Sequence, residues 1–248
     1  MRIRLFATRN IKEILRDPIN LFFGLGFPLV LLLLLSVINA NMPAEASNPM
    51  FEIANLAPGL AMFGSVFMAL FVGMLLAKDR TSSFLMRLFT SPITASQFIL
   101  GYTAPMMVLT VVQTAITLFA ACLFGLPATV NVLISIPMTA LTSFLFIGIG
   151  LVCGSLMNDR AVGGICGALL TNLAGWLSGV FIPIDLIGGR FKAFTHFLPF
   201  YHSVEAVKQV ITGDFKAVLP HIGIVVAYAV AIFLIAVFAF NKKMSSDC

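Results

Sequence analysis

Five stretches of this chain carry no charged residue: 18–44, 53–77, 88–158, 161–184 and 217–241. A hydrocarbon layer about 30 Å thick takes about 20 helical residues to cross. The stretches of 27, 25, 24 and 25 residues therefore hold one crossing each, and the 71-residue stretch holds two. Its break is Gly125-Leu126-Pro127 through Asn131, a turn signal after which apolar sequence resumes at Val132. Six helices are predicted, near 20–38, 56–77, 98–124, 132–156, 161–182 and 222–240. Strands do not fit. A membrane barrel alternates polar and apolar residues, whereas every position from Leu29 to Leu35 is apolar. Helices satisfy their own backbone groups in lipid, so such runs are tolerated.

Composition agrees. The chain is 60% hydrophobic and 10% charged, with a mean hydropathy of +1.04, against roughly 25% charged in a soluble domain. No hydrophilic module interrupts it, so residues 1–248 read as a single transmembrane domain. Its parts are an amphipathic segment 1–18, spans one to five over 19–182, an outer segment 183–221, span six at 222–240 and a tail 241–248.

Eleven of the 15 lysines and arginines fall before span one, between spans two and three, between four and five, or after six. The short loops 39–55 and 125–131 have none. The positive-inside rule then puts both termini in the cytoplasm, as expected of a multi-pass protein of a bacterial-type cytoplasmic membrane. Ala44-Glu45-Ala46 has the small-residue look of a cleavage site. The long basic region before the first apolar run, and a run long enough to span, favour a retained first helix.

Outside the spans, residues 1–18 read as a helix on the membrane surface. Ile3, Phe6, Ala7, Ile14 and Leu15 form one stripe and Arg9, Lys12 and Arg16 another, with Pro18 as the stop. The stripe of cations suits anionic lipid or a cytoplasmic partner. The segment from Lys78 to Pro92 follows three charges with an apolar knob, Phe84, Leu85, Met86, Leu88 and Phe89, around Arg87. It suits interfacial burial or a groove on another protein. In the outer segment two pieces, Arg190 to Leu198 and Ser203 to Thr212, are too short to cross and read as re-entrant or interfacial.

No Asp, Glu, Lys, Arg or His lies in the core of any of the six spans, and His196, His202 and His221 belong to the outer segment or its margin. Proton relays use intramembrane carboxylates or histidines, so proton-coupled transport is disfavoured. A secondary transporter or channel binding sodium through backbone carbonyls stays open as the alternative. Ser178, between Trp176 and Gly179, has no base in the membrane interior to activate it. The chain has no phosphate-binding Gly-x-x-x-x-Gly-Lys-Ser/Thr loop, no zinc spacing and no nucleic-acid face. Cys122, Cys153 and Cys166 lie in spans and read as packing residues. Gly163, Gly167, Thr171, Gly175 and Gly179 recur every four residues, a stripe for internal packing or a dimer seam. Thr110, Gln113, Thr114 and Thr117 form a polar stripe, for interhelical hydrogen bonds or a substrate path. Phe63, Phe67 and Phe71 share a face that could meet lipid, the core or an amphiphile.

The order of these parts resembles the membrane subunit, or permease, of type-2 ATP-binding cassette exporters. Three local matches carry the resemblance: Leu15-Arg16-Asp17-Pro18 before span one, Arg87-Leu88 with Ser91-Pro92 after span two, and Phe197 to Tyr201 with Val204 to Lys208 before span six. It implies an all-α integral membrane fold of six transmembrane helices, with an N-terminal connecting helix and short re-entrant helices before the sixth span. It implies a dimer of permeases, identical or homologous, served by separate ATP-binding subunits. ATP and magnesium would sit on those partners, and this chain would hold no cofactor, no metal and no catalytic residue. Lys78, Asp79, Arg80, Phe84, Leu85, Arg87, Leu88 and Phe89 would couple to the ATPase. Phe63, Phe67, Phe71, Thr171, Asn172 and Trp176 would line the path of a lipophilic or amphiphilic cargo such as a drug, lipid, peptide or glycan. Relatives commonly carry an acidic-basic-acidic run and then Gly where this chain has Lys78-Asp79-Arg80 and Ser82-Ser83.

Overall fold

A computed structural model describes residues 2–43, 51–82, 95–182 and 184–246. Among them every regular element is helical: α1 (Arg2–Leu15), α2 (Pro18–Asn41), α3 (Ile53–Thr81), α4 (Ala95–Leu123), α5 (Val130–Leu156), α6 (159–177), α7 (Ile184–Ile187), α8 (Gly189–Phe197), α9 (Pro199–Thr212) and α10 (Phe215–Ser246). Five of these helices, α2 to α5 and α10, are long and apolar enough to cross a membrane. Helix α6, where a further span is expected, is shorter, and its middle, Gly163–Leu170, is wound as a π-helix. It ends at Leu177 rather than near 182, because Gly179 turns the chain with φ +83°, a conformation glycine adopts without strain.

Several boundaries differ from those expected, each for a local reason. Pro18 opens α2 instead of stopping α1. Asp17 Oδ1 accepts from the backbone N–H of Ile19 (3.1 Å) and Asn20 (3.2 Å), and a proline in the first helical turn has no N–H that needs a partner. Helix α3 continues through Lys78, Asp79 and Arg80 to Thr81, and α10 starts at Phe215 rather than near 222. Helix α2 also contains a π-turn, Phe22–Gly26, around Gly24. The outer pieces are helical as expected, α9 being capped by Gly213 in the left-handed conformation (φ +86°).

Helix α3 is the axis of the bundle. Its most apolar window is 89% buried, against 17% for α2 and 22% for α10. Its closest partner is α5, and the reason is glycine. A Cβ on Gly150 would stand 2.2 Å from the Ala69 carbonyl oxygen, and one on Gly154 would stand 2.6 Å from that of Gly73. Backbones meet here without intervening side chains, the packing that small residues permit in lipid, where no hydrophobic drive holds helices together. On the N-terminal side of the seam in both helices, Met62, Val66, Leu145 and Phe146 are fully buried. On another side of α3, Gly64 makes room for Gln113 of α4. The polar stripe of α4 is buried there. The Gln113 side-chain amide donates to Thr117 Oγ (3.1 Å), and Thr110 Oγ donates to the Met106 carbonyl (2.9 Å), so the stripe bonds along its own helix rather than between helices.

Helices α8 and α9 close onto α10 through histidine. His202 Nε2 lies 2.7 Å from the His196 carbonyl oxygen, which can only accept, so that nitrogen carries a proton. His202 Nδ1 lies 2.7 Å from His221 Nδ1, and one proton is shared between them. The rings of His196 and Tyr201 stack at 4.3 Å.

The α3–α5 seam gives a direct test. Gly150→Val should lower stability in detergent by about 2–3 kcal/mol or more, because the clash is with backbone rather than a movable side chain. Gly163, which has open space beside it, should accept alanine with a change of no more than about 1 kcal/mol. Thermal unfolding of the two variants side by side checks the contrast; equal losses would remove the seam from the account.

Candidate functional site

Helix α1 does not lie on a free surface. Phe6, Asn10 and Ile14, at four-residue spacing, are buried against the bundle, while Leu5 and Leu15 are exposed. Phe6 fills the notch left by Gly101 of α4, where a Cβ would come within 2.2 Å of its ring. Around it stand Phe98 (5.6 Å between ring centres) and Tyr102 (5.0 Å, edge-on), and Phe98 stacks on Phe240 of α10 at 4.3 Å. Asn10 Nδ2 donates to the Gly101 carbonyl (3.0 Å). Three helices thus converge on one aromatic cluster.

At its edge sits Asp79, 2% exposed, in the last turns of α3. A carboxylate removed from water needs charge and hydrogen bonds in return. Asp79 receives both. Arg9 Nη1 and Nη2 donate to its two oxygens at 2.5 and 2.8 Å, and the Tyr102 hydroxyl donates to Oδ2 at 2.5 Å. Arg9 also reaches Glu13 (2.5 Å) and Asn10 Oδ1 (2.9 Å), and Glu13 pairs with Lys78 at 3.5 Å. Burial works to lower the pKa of Arg9, but the hydrogen bond and charge of Asp79, with the charge of Glu13, raise it above the ordinary guanidinium value. The planar fork is suited to this two-oxygen grip. On the far side of α3, Arg80 Nη1 donates to the Gly154 carbonyl (2.8 Å), tying the end of α5 to the same turn.

Of the expected coupling residues, Lys78, Asp79 and Arg80 therefore belong to a cluster joining α1, α3, α4 and α5. Phe84, Leu85, Arg87, Leu88 and Phe89 lie outside the described residues. Nothing in the sequence pairs Arg9 with Asp79, 70 positions away. The available signal was a lone carboxylate between two cations at the end of an apolar run.

The expected path residues divide. Phe63, Phe67 and Phe71 are buried in a ladder of rings, with 5.7 Å between the first two and 6.4 Å between the second two. Phe27 of α2 stands 5.8 Å from Phe67, and Phe181 stands 5.3 Å from Phe63. Thr171 is half-buried and donates to the Cys166 carbonyl (3.1 Å) across the π-turn. Asn172 and Trp176 are exposed on the outer face of α6, in company with Leu169 and Leu173. The glycine stripe divides too. Gly167 meets Leu70 of α3, Gly175 meets Phe181 and Phe63, Gly163 meets nothing within 4 Å, and Gly179 stands in the turn beyond the helix. Cys153 and Cys166 are buried in one apolar cluster with Ala77 and Val162.

Comparison with known proteins adds family. A family model described as "ABC-2 type transporter" matches residues 1–212. The chain is similar to Nodulation protein J of Bradyrhizobium diazoefficiens, with 29% identity over 97% of this chain and 89% of that protein. It is similar to Nodulation protein J of Rhizobium meliloti, with 25% identity over 96% and 88%, and to that of Sinorhizobium fredii, with 22% identity over 97% and 88%.

Removing one member of the buried pair leaves the other uncompensated, which costs about 3–5 kcal/mol when both are fully buried. Arg9 keeps a third of its side chain in contact with solvent, so Arg9→Gln should cost less, about 2–3 kcal/mol. Asp79→Asn should cost a similar amount, and the double variant less than the sum. A double-mutant cycle on thermal unfolding in detergent measures the coupling, and strict additivity would mean that the pair does not hold α1.

Proposed function

Because the chain belongs to the ABC-2 type transporter family, we propose that it is the membrane permease half of an ATP-driven exporter, working as a dimer with two separate ATP-binding subunits. In this reading α6 is the fifth of six spans, both termini are cytoplasmic, and α1 is the connecting helix at the membrane surface. Helices α7 to α9 are the outer roof. The observation that carries the reading is the placement of charge. Among the described residues of the apolar helices α2 to α6 and α10, Asp, Glu, Lys, Arg and His stand at helix ends: Lys78, Asp79 and Arg80 close α3, Asp159 and Arg160 open α6, and Lys216 and His221 fall in the first turns of α10. A bundle arranged so offers no carboxylate or histidine relay between its faces, which supports a driving force supplied from outside the chain.

The Arg9–Asp79–Tyr102 cluster is where that force enters. It stands at the end of α3, directly before the segment proposed to dock on the ATPase. A push on that segment moves the end of α3, and the ion pair carries α1 and α4 with it. Eight residues back along α3 is Phe71 and, behind it, Phe67 and Phe63. The same helix therefore connects the power input to the ring ladder proposed as part of the substrate path. That ladder, with the exposed face of α6 around Asn172 and Trp176 turned toward a second permease, suits an uncharged or amphiphilic cargo. Gly163, with open space beside it, suits that seam, whereas Gly167 meets Leu70 and Gly175 meets Phe181 and Phe63 inside the chain.

Two outcomes test this. The chain should copurify with an ATPase subunit, and transport in vesicles should be sensitive to vanadate; uphill transport by the lone chain on an ion gradient would defeat the reading. Replacing Phe84, Leu88 and Phe89 with polar residues should leave membrane insertion intact while ATP hydrolysis continues without transport. Unchanged coupling would remove that segment from the mechanism.

A further inference from the structure

A cleft of about 800 Å³ opens between α1, the start of α2 and the charged end of α3. One wall is apolar, made by Phe71, Met74 and Leu75. The facing wall is the cationic side of α1. Its charges are not equivalent. Arg9 is engaged by Asp79 and Glu13, and Lys78 by Glu13. Of the remaining carboxylates, Asp17 caps α2, and Asp159 Oδ1 accepts from the Arg160 backbone N–H (2.9 Å). Lys12 and Arg16, four residues apart, are exposed and make no ion pair among the described residues.

The mouth of the cleft is flanked by apolar side chains that water would not favour. Leu5, Leu15, Ile19 and Phe22 are between 50% and 67% exposed. Exposed apolar groups beside unpaired cations mark the boundary between hydrocarbon and headgroups. A bare anion would leave the wall of Phe71, Met74 and Leu75 unfilled, and a hydrocarbon chain alone would leave Lys12 and Arg16 unmatched. A volume of this size is also in the range of sites that enclose a sizeable part of an organic ligand.

We propose that this cleft binds one phospholipid with an anionic headgroup, its phosphate against Lys12 and Arg16 and the start of its acyl chains along Phe71, Met74 and Leu75. The lipid touches α1, α2 and α3 together, beside the Arg9–Asp79 pair, and fills the space between the connecting helix and the bundle. It is a resident lipid rather than cargo, and the site exists whether or not the chain works with an ATPase.

Native mass spectrometry of the full-length chain, purified with either phosphatidylglycerol or phosphatidylcholine, tests this. The wild type should retain phosphatidylglycerol selectively. Changing Lys12→Gln and Arg16→Gln together should weaken retention about tenfold or more and remove the thermal stabilisation that added phosphatidylglycerol gives the wild type, while unfolding of the lipid-depleted protein stays unchanged because both side chains are exposed. Met74→Glu should weaken it as well, whereas Lys216→Gln, at the other end of the protein, should not. Four results would overturn the proposal. Equal retention of phosphatidylcholine means ordinary boundary lipid. Displacement by inorganic phosphate as effectively as by lipid means a free-anion site. Full retention in Met74→Glu means surface charge alone. Loss of the lipid when an ATPase subunit binds, with Lys12 and Arg16 then protected, assigns those cations to the protein partner.

Discussion

The close approach of α3 and α5 governs the rest of the structure. In lipid, helices gain nothing by hiding apolar surface from one another, so association depends on how near two backbones can come. Gly73, Gly150 and Gly154 bring them into direct contact, and that contact makes α3 the buried axis. Once α3 is central, its other faces are assigned. One receives Gln113 of α4 through Gly64, another carries the phenylalanine ladder toward α2 and Phe181, and its charged end reaches α1. A side chain at the seam would displace every one of these neighbours at once.

The axis also explains how a carboxylate is kept out of water at the bundle's edge. Asp79 is carried to a fixed point by the rigid helix, and two independent elements meet its carboxylate there, Arg9 on α1 and Tyr102 on α4. Each donor is held by packing of its own: Arg9 by the burial of Phe6, Asn10 and Ile14 on either side, Tyr102 by the aromatic cluster. Geometry of this kind lets a paired charge survive burial, since orientation is supplied by the scaffold rather than by the pair.

Much of this was legible in the residues, and the rest fails for definable reasons. Uncharged stretches gave the positions of the long helices, because lipid imposes a length and forbids charge. They could not give α6 its form. The stripe Gly163, Gly167, Thr171, Gly175 and Gly179 looks like a packing face, yet the backbone is π-helical from Gly163 to Leu170, and only some of its glycines meet a neighbour. The shorter run from Gly150 to Gly154 was the tighter seam. Spacing shows that small residues share a face but not whether another helix stands opposite. Arg9 and Lys12 likewise look alike in sequence, as topogenic cations. Asp79 takes Arg9 and leaves Lys12 in the open, a distinction made only by tertiary contact. Pro18 misled because it stops a helix when interior and starts one when first, and Asp17 before it decides which.

The mechanics of the bundle depend on where α3 is stiff and where its neighbours are not. From Phe63 to Asp79 it is unbroken α-helix, pinned along α5 and locked at its end by two arginines, Arg9 to α1 and Arg80 to the end of α5. These elements form one body. The helices that flank the ring ladder are built otherwise. Helix α2 has its π-turn at Phe22–Gly26, α6 has one at Gly163–Leu170, and both carry much exposed apolar surface. A π-turn holds one residue more than the α-helical ladder accommodates, and shifting it costs less than breaking a helix. If a displacement enters at Asp79 as proposed, α3 carries it toward Phe63, Phe67 and Phe71, where the neighbouring helices have their π-turns. The continuous axis and the irregular flanks thus stand on opposite sides of the ring ladder.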